Sequence, residues 1–254
     1  MTQRVLVTGG ASGIGREIVR AFAASGAKVF ACDIAAEGLA ELGREVPGLT
    51  TTVCDVSRRE EIERMVAFGV DALGGLDVLV NNVGIAGPTA PVEGVSPDEW
   101  DRVVTVNLTS AFDVTRLSIP HLKRSPAGVI ITMSSVAGRL GWANRSPYCT
   151  TKWGLIGFTK TLAIELGEFG IRANAILPGA VAGPRLQAAI DARARASGRS
   201  VEEVRRAVLS AQSIRTLVDP GDIAALAVFL ASDHAKSISG QMIPIDGDSS
   251  RPPG

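Results

Sequence analysis

Tyr148, the one tyrosine of the 254-residue chain, is followed four positions later by Lys152. On a helix that spacing puts a phenol and an ammonium on one face, and Ser146-Pro147 just before them is a helix-start signal. A phenol ionises near pH 10 in water and is a poor base at neutral pH, whereas a neighbouring ammonium stabilises the phenolate. The pair is a candidate proton-transfer unit with Tyr148 as general acid/base. Ser135, ending an apolar run that reads as a strand, offers a hydroxyl to a reacting carbonyl or alkoxide oxygen, and Ser134 competes for that role. Asn107, in Val106-Asn107-Leu108, is an amide inside a largely apolar helical stretch, where a satisfied buried amide or a helix kink is the alternative to a site role.

A second group of residues suits a dinucleotide. Gly9, Gly13 and Gly15, within Thr8-Gly9-Gly10-Ala11-Ser12-Gly13-Ile14-Gly15, follow a β-branched run and open a helical pattern. Small residues there let backbone N–H groups and a helix N-terminus approach a pyrophosphate, which makes Gly9, Ser12, Gly13, Ile14 and Gly15 candidate cofactor contacts. Asp33 ends the next strand-like run, 18 residues after Gly15. Its carboxylate suits the hydroxyls of the adenosine ribose and would repel a 2′-phosphate. No basic residue stands at Ser12 or Ile34 to offset that repulsion, so NAD is the expected cofactor. Asp55, with Val56 beside it, follows the third run and is a candidate for the adenine amino group. Asn82 and Gly84, in Asn81-Asn82-Val83-Gly84, close the fourth with polar groups and room for close approach.

These residues need a scaffold that brings strand ends together. Seven strand-like runs are expected at Arg4–Thr8, Lys28–Cys32, Thr51–Cys54, Leu76–Val80, Gly128–Met133, Ile171–Leu177 and Gln241–Ile245, with helical patterns between most of them. Apolar strands alternating with helices predict an α/β fold, a doubly wound parallel sheet covered on both faces, whose ligands lie beyond the carboxyl ends of the strands. One domain, 1–254, is expected. Residues 183–212 interrupt the rhythm with Val201, Val204, Val208 and Leu209 at helical spacing, and read as an inserted substrate lid starting at a strand end. The closing Asp248–Gly254 reads either as a subunit contact or as a polar tail.

Composition narrows the classes. The chain is 46% hydrophobic, 20% charged and 4% aromatic, with mean hydropathy +0.23, which describes a globular protein and excludes disorder or collagen. Lys plus Arg and Asp plus Glu number 26 each, so no overall field favours nucleic acid or an anionic membrane. The longest apolar runs, such as Ala224 to Ala231, fall short of the ~18 residues that span a bilayer, and a cytoplasmic protein is expected. Cys32, Cys54 and Cys149 with His121 and His234 indicate neither a disulfide framework nor a metal site.

Thr8-Gly9-x3-Gly13-x-Gly15, Asn81-Asn82-x-Gly84, Asn107, Ser135 with Tyr148 thirteen residues later, Lys152 and Pro178-Gly179 together resemble the short-chain dehydrogenase/reductase family over essentially the whole chain. The resemblance implies a Rossmann-like sheet of order 3-2-1-4-5-6-7, a nicotinamide cofactor and a homo-oligomer, with a tetramer favoured. It implies that Lys152 also holds the nicotinamide ribose, that Ser135 orients substrate and that Asn107 supports a water-linked proton relay. After Pro178 and Gly179 the family often has a threonine at the nicotinamide amide; here the chain reads Ala180-Val181-Ala182, and backbone near Val181 is expected to take its place. The family's substrate pocket borders the segment between Ser135 and Tyr148, which makes Arg139, Trp142 and Arg145 substrate candidates. Arg185, nearest the strand end in an arginine-rich insert, joins them, and Arg139, Arg145 or Arg185 is expected to meet a carboxylate, sulfonate or phosphate. The expected activity is interconversion of a small secondary alcohol and its ketone with NAD. An NADPH-dependent ketone or 3-oxoacyl thioester reductase is the enzymatic alternative. A catalytically inactive dinucleotide-sensing protein is the alternative of another class.

Overall fold

The computed structural model describes residues 2–250, so residues 251–254 of the closing segment lie outside it, with Met1. Seven parallel strands, β1 (Arg4–Thr8), β2 (Lys28–Asp33), β3 (Thr50–Val53), β4 (Val78–Asn81), β5 (Val129–Met133), β6 (Arg172–Pro178) and β7 (Met242–Ile245), pair in the order 3-2-1-4-5-6-7. Among the described residues nine α-helices accompany them: α1 (Gly13–Ala24), α2 (Ala36–Glu45), α3 (Arg59–Leu73), α4 (Pro97–Val104), α5 (Ser110–Leu122), α6 (Ser146–Leu166), α7 (Pro184–Ser197), α8 (Val201–Leu209) and α9 (Pro220–Ala231).

Both faces of the central strands β1, β4, β5 and β6 are buried, which is why these strands read as largely apolar runs, whereas the edge strands β3 and β7 are partly exposed. Val5 and Val7 of β1, Val29 and Ala31 of β2, and Val78 and Val80 of β4 pack with α1, α2 and α9; the intervening Leu6, Phe30 and Leu79 pack with α3, α5 and α6. The strands start or stop within two residues of their expected limits. The fourth begins at Val78 rather than Leu76; Asp77, just before it, accepts at Oδ2 from Arg4 N and Nε, both at 2.9 Å.

Two departures from regular helix matter for the site. Between α4 and α5 the chain passes through a π-helical turn, Thr105–Thr109, in which Ser110 N reaches back five residues to Thr105 O. The insert expected at 183–212 is a pair of helices, α7 and α8, reversed at Gly198 (φ +67°) and restarted by a capping box in which Ser200 and Glu203 satisfy each other's backbone N–H. Ile190, Ala194, Val204 and Val208 give this pair a small core of its own. Among the described residues, no helix is long and apolar enough to cross a membrane.

Candidate active site

The carboxyl ends of β1 and β4 are neighbours from which the chain departs in opposite directions, the place where an open α/β sheet receives a ligand. Asn82 ties the two ends together: its N donates to Thr8 Oγ1 at 3.0 Å, and its Nδ2 to Thr8 O at 3.1 Å and Gly9 O at 2.9 Å. A side chain at Gly15 would collide with the Gly9 carbonyl and this amide, so the third glycine is fixed by packing. Gly13 differs, because it adopts φ +53° and a Cβ there would meet nothing within 4 Å. Ser12 stands at the helix N-cap without making a side-chain cap bond. The first N–H groups of α1 therefore face open ground, as a diphosphate requires.

Asp33 is held at the end of β2, where Oδ2 accepts from Ala11 N and Oδ1 from Ala35 N, each at 3.0 Å. Each oxygen keeps a further lone pair for a ribose hydroxyl. Asp55 forms a tight turn by accepting at Oδ1 from Ser57 N (2.9 Å) and Oγ (2.7 Å), and these bonds hold its carboxyl below its ordinary value. Val56 is buried beside it. At the far end, Gly179 N donates to Ile245 O at 3.0 Å, next to Pro178 at the end of β6. Val218 N then donates to Ala180 O and Ala182 N to Val218 O, both at 2.9 Å. That parallel pattern turns Val181's own N–H and C=O to the opposite side.

Helix α6 carries Tyr148 and Lys152, the candidate proton-transfer pair. Lys152 Nζ donates to Met133 O at 2.9 Å, and Lys152 O accepts from Ser134 Oγ at 2.8 Å. The two serines are thereby separated: Ser134 secures α6 to β5, while Ser135 Oγ accepts from Ala137 N at 3.1 Å and keeps its hydrogen for another acceptor. Lys152 Nζ lies 5.7 Å and the Arg145 guanidinium carbon 5.3 Å from the centroid of the Tyr148 ring, and Trp142 stacks on that ring at 6.5 Å. Gly84 allows this packing, since a Cβ there would sit 3.3 Å from Lys152 Nζ and 3.5 Å from Asn107 Oδ1. Burial pushes the Lys152 ammonium down to about 7, with the charge of Arg185 adding to the effect.

Asn107 sits in the π turn and is buried. Its Oδ1 accepts from Ile85 N at 2.7 Å, and its Nδ2 donates to Ile85 O at 3.0 Å and Thr151 Oγ1 at 3.2 Å. The side chain thus joins the segment after β4 to α6, one residue from Lys152. Thr151 and Ile85 escaped the sequence reading because neither type signals such a role. Thr8 lay inside the glycine motif, with its hydroxyl as the only clue.

The arginines part company. Arg185 reaches from the first turn of α7 to donate to Gly84 O at 3.3 Å. Arg145 donates to Thr89 Oγ1 at 2.8 Å; burial lowers its pKa, and the like charges of Arg185 and Arg193 push the same way. Arg139 instead spends its Nη2 on Asp246 Oδ2 at 2.6 Å and Ser249 O at 2.9 Å. Among the described residues, Trp142 Nε1, Arg145 Nε and Ser146 Oγ are buried without a hydrogen-bond partner. These polar atoms and the Arg145 charge cluster beside Tyr148, where they can meet the polar end of a small molecule.

A family model described as enoyl-(acyl carrier protein) reductase matches residues 9–248. The chain is 40% identical over 248 residues to a D-beta-hydroxybutyrate dehydrogenase of Cupriavidus necator, covering 95% of each chain. It is 37% identical over 246 residues to a 3-oxoacyl-(acyl-carrier-protein) reductase of Thermotoga maritima, again covering 95% of each. Among solved structures, an actinorhodin polyketide ketoreductase variant with NADPH superposes with TM-score 0.92 at 33% identity, over 97% of this chain and 96% of that one. Levodione reductase gives 0.90 at 32% identity, over 97% and 98%.

Proposed function

The chain belongs to the short-chain dehydrogenase/reductase family of oxidoreductases, and from that premise we propose that it interconverts a small, negatively charged secondary alcohol and its ketone using NAD. The observation that carries the reading is the Tyr148 ring flanked by two cations, Lys152 at 5.7 Å and Arg145 at 5.3 Å, one on the scaffold side and one in the substrate segment.

Gly9, Ser12, Gly13, Ile14 and Gly15 would hold the diphosphate, Asp33 the adenosine ribose, Asp55 and Val56 the adenine. Asn82, Gly84, Pro178, Gly179 and Val181 would frame the nicotinamide half. The cofactor supplies, when bound, the acceptor for the hydride that leaves the alcohol carbon. Tyr148 takes the hydroxyl proton, and the ammonium of Lys152 favours the ring's anionic form. The Ser135 hydroxyl donates to the same substrate oxygen, where negative charge develops. An ammonium near pH 7 can release a proton as well as hold one, which suits a relay outward through Lys152, with Asn107 fixing the segment that encloses it. Arg145, seconded by Arg185 as the lid of α7 and α8 closes, would take the substrate's anionic group. Trp142 would form the wall behind it.

The relative in Cupriavidus is named for a hydroxy acid, which supports the anionic reading. Asp33 supports NAD over NADP, because a 2′-phosphate would approach its carboxylate; Arg16, the basic residue in the first turns of α1, is engaged by Glu41 and Glu45. The test is nicotinamide absorbance with 3-hydroxybutyrate and its neutral methyl ester, each with NAD+ and NADP+. Turnover of the acid with NAD+, and a KM raised about tenfold or more by Arg145→Met for the acid alone, is expected. Equal use of acid and ester would remove the anionic reading, and a strong preference for NADP+ would remove the cofactor reading.

A further inference from the structure

Asp246 stands where three parts of the site meet. Its carboxylate is 4% exposed and is paired with Arg139 at 2.6 Å. Arg139 follows the short turn that Ser135 caps, in which Gly138 N donates to Ser135 O at 2.8 Å and Arg139 N to Val136 O at 3.0 Å. On its other side Asp246 lies against the cofactor turn, since a Cβ on Gly179 would come within 2.7 Å of it. Arg139 Nη2 also donates to Ser249 O at 2.9 Å, closing a loop in which Asp248 N donates to Asp246 Oδ1 and Ser249 Oγ to Asp246 O, both at 3.0 Å.

That loop grips the chain as it leaves α8. Ile214 N donates to Gly247 O at 2.9 Å, Ser250 N to Ala211 O at 3.1 Å and Ser213 Oγ to Asp248 Oδ2 at 2.6 Å. One guanidinium therefore spans from the Ser135 turn to a C-terminal loop that holds the outgoing end of the insert. Removing the cation would leave a buried carboxylate uncompensated, a larger disturbance than losing an exposed pair. This engagement uses Nη2 alone and leaves Arg139 Nε buried without a hydrogen-bond partner.

We propose that Arg139 is a positioning residue: through Asp246 it locks residues 246–250 to the Ser135 turn, and through them it sets where the insert sits over the substrate. This rests on reading the protein as a dehydrogenase and the α7–α8 pair as its lid. The test combines hydrogen exchange with kinetics on 3-hydroxybutyrate and its methyl ester, for Arg139→Gln, Arg139→Lys, Asp246→Asn and the Gln/Asn double variant. In Arg139→Gln, exchange at 211–214 and 247–250 should rise together. The KM for whichever of the two alcohols is turned over should rise about tenfold, with kcat within about threefold and NADH affinity unchanged. Arg139→Lys should recover most of this, Asp246→Asn should reproduce it, and the double variant should be no worse than either single change. If Arg139→Gln does not fold, the lysine variant and Asp246→Asn carry the same comparison.

Exchange confined to 247–250, additive effects in the double variant, an unchanged KM, or, where both alcohols are turned over, a KM change seen with the acid but not the ester would overturn the proposal. A wild type that oxidises no alcohol would sink the dehydrogenase reading, and the exchange pattern alone would then decide whether the lock exists.

Discussion

Among single side chains, the proposed mechanism separates groups that react from groups that hold them. Replacing Tyr148 by Phe keeps the stack on Trp142 and removes only the hydroxyl, so kcat should fall about 10³-fold while NADH affinity stays within about twofold. Lys152 makes a prediction in two directions. Its pKa is lowered to about 7 by burial, far below that of an unfolded lysine, so between about pH 7 and 10 the unfolded chain binds more protons than the folded one. Stability of the ligand-free protein should therefore rise with pH across that window, by at most about 1.4 kcal/mol per unit from this group, and the cost should be fully present below pH 7. Lys152→Met should abolish turnover yet raise the thermal midpoint at pH 6 to 7 and flatten its pH dependence. An unchanged pH dependence in the variant, followed by calorimetry, would show that Lys152 carries no such cost. The spacing of Tyr148 and Lys152 was visible in the chain, because one helical turn is a local geometry. The choice between Ser134 and Ser135 was not, because it depends on which hydroxyl meets the Lys152 carbonyl across eighteen residues. The fate of Arg139 was equally hidden, since its partner Asp246 lies 107 positions away.

Helices and turns set how accurately those groups are held. The π turn at Thr105–Thr109 delivers Asn107 to Ile85, and Asn107→Ala removes two bonds to that backbone and one to Thr151. A loss of about 1–3 kcal/mol is expected from leaving those buried groups unpaired, together with faster hydrogen exchange at Ile85 and a lower kcat. Exchange at Ile85 that does not change would mean the amide is not what fixes this segment. The α7–α8 pair has its own small core, and if it is a lid, proteolysis near Gly198 should slow when NAD+ and substrate are added together; equal cleavage with and without them would make it a fixed buttress. Element positions were largely legible, since buried parallel strands and amphipathic helices announce themselves by pattern. Their ends were less so: β4 begins at Val78, two residues after the start of its apolar run. The extra residue that makes the π turn leaves no mark in apolar spacing, and a helix kink at Asn107 stood only as the alternative to a site role.

Among the described residues the molecule is built on one parallel seven-stranded sheet whose order places the β1–β4 switch point between the glycine turn and the Tyr148 helix. Strand order was not derivable from periodicity; it came through the family resemblance, and the structure has the same order. The resemblance also implies a homo-oligomer with a tetramer favoured, so light scattering should give a multiple of the 26.4 kDa chain mass, four times it for the favoured state, and a monomer at working concentration would contradict that expectation. In the proposed reaction Tyr148, set between Lys152 and Arg145, moves the proton while an NAD cofactor takes the hydride. The most direct measurement compares wild type and Tyr148→Phe for NAD+ reduction at 340 nm with 3-hydroxybutyrate and its methyl ester, alongside NADH binding by fluorescence. Turnover by the wild type, lost in the variant while NADH still binds to both, is the predicted result. Turnover that survives in Tyr148→Phe would contradict the account, as would a wild type that binds NADH and oxidises no secondary alcohol.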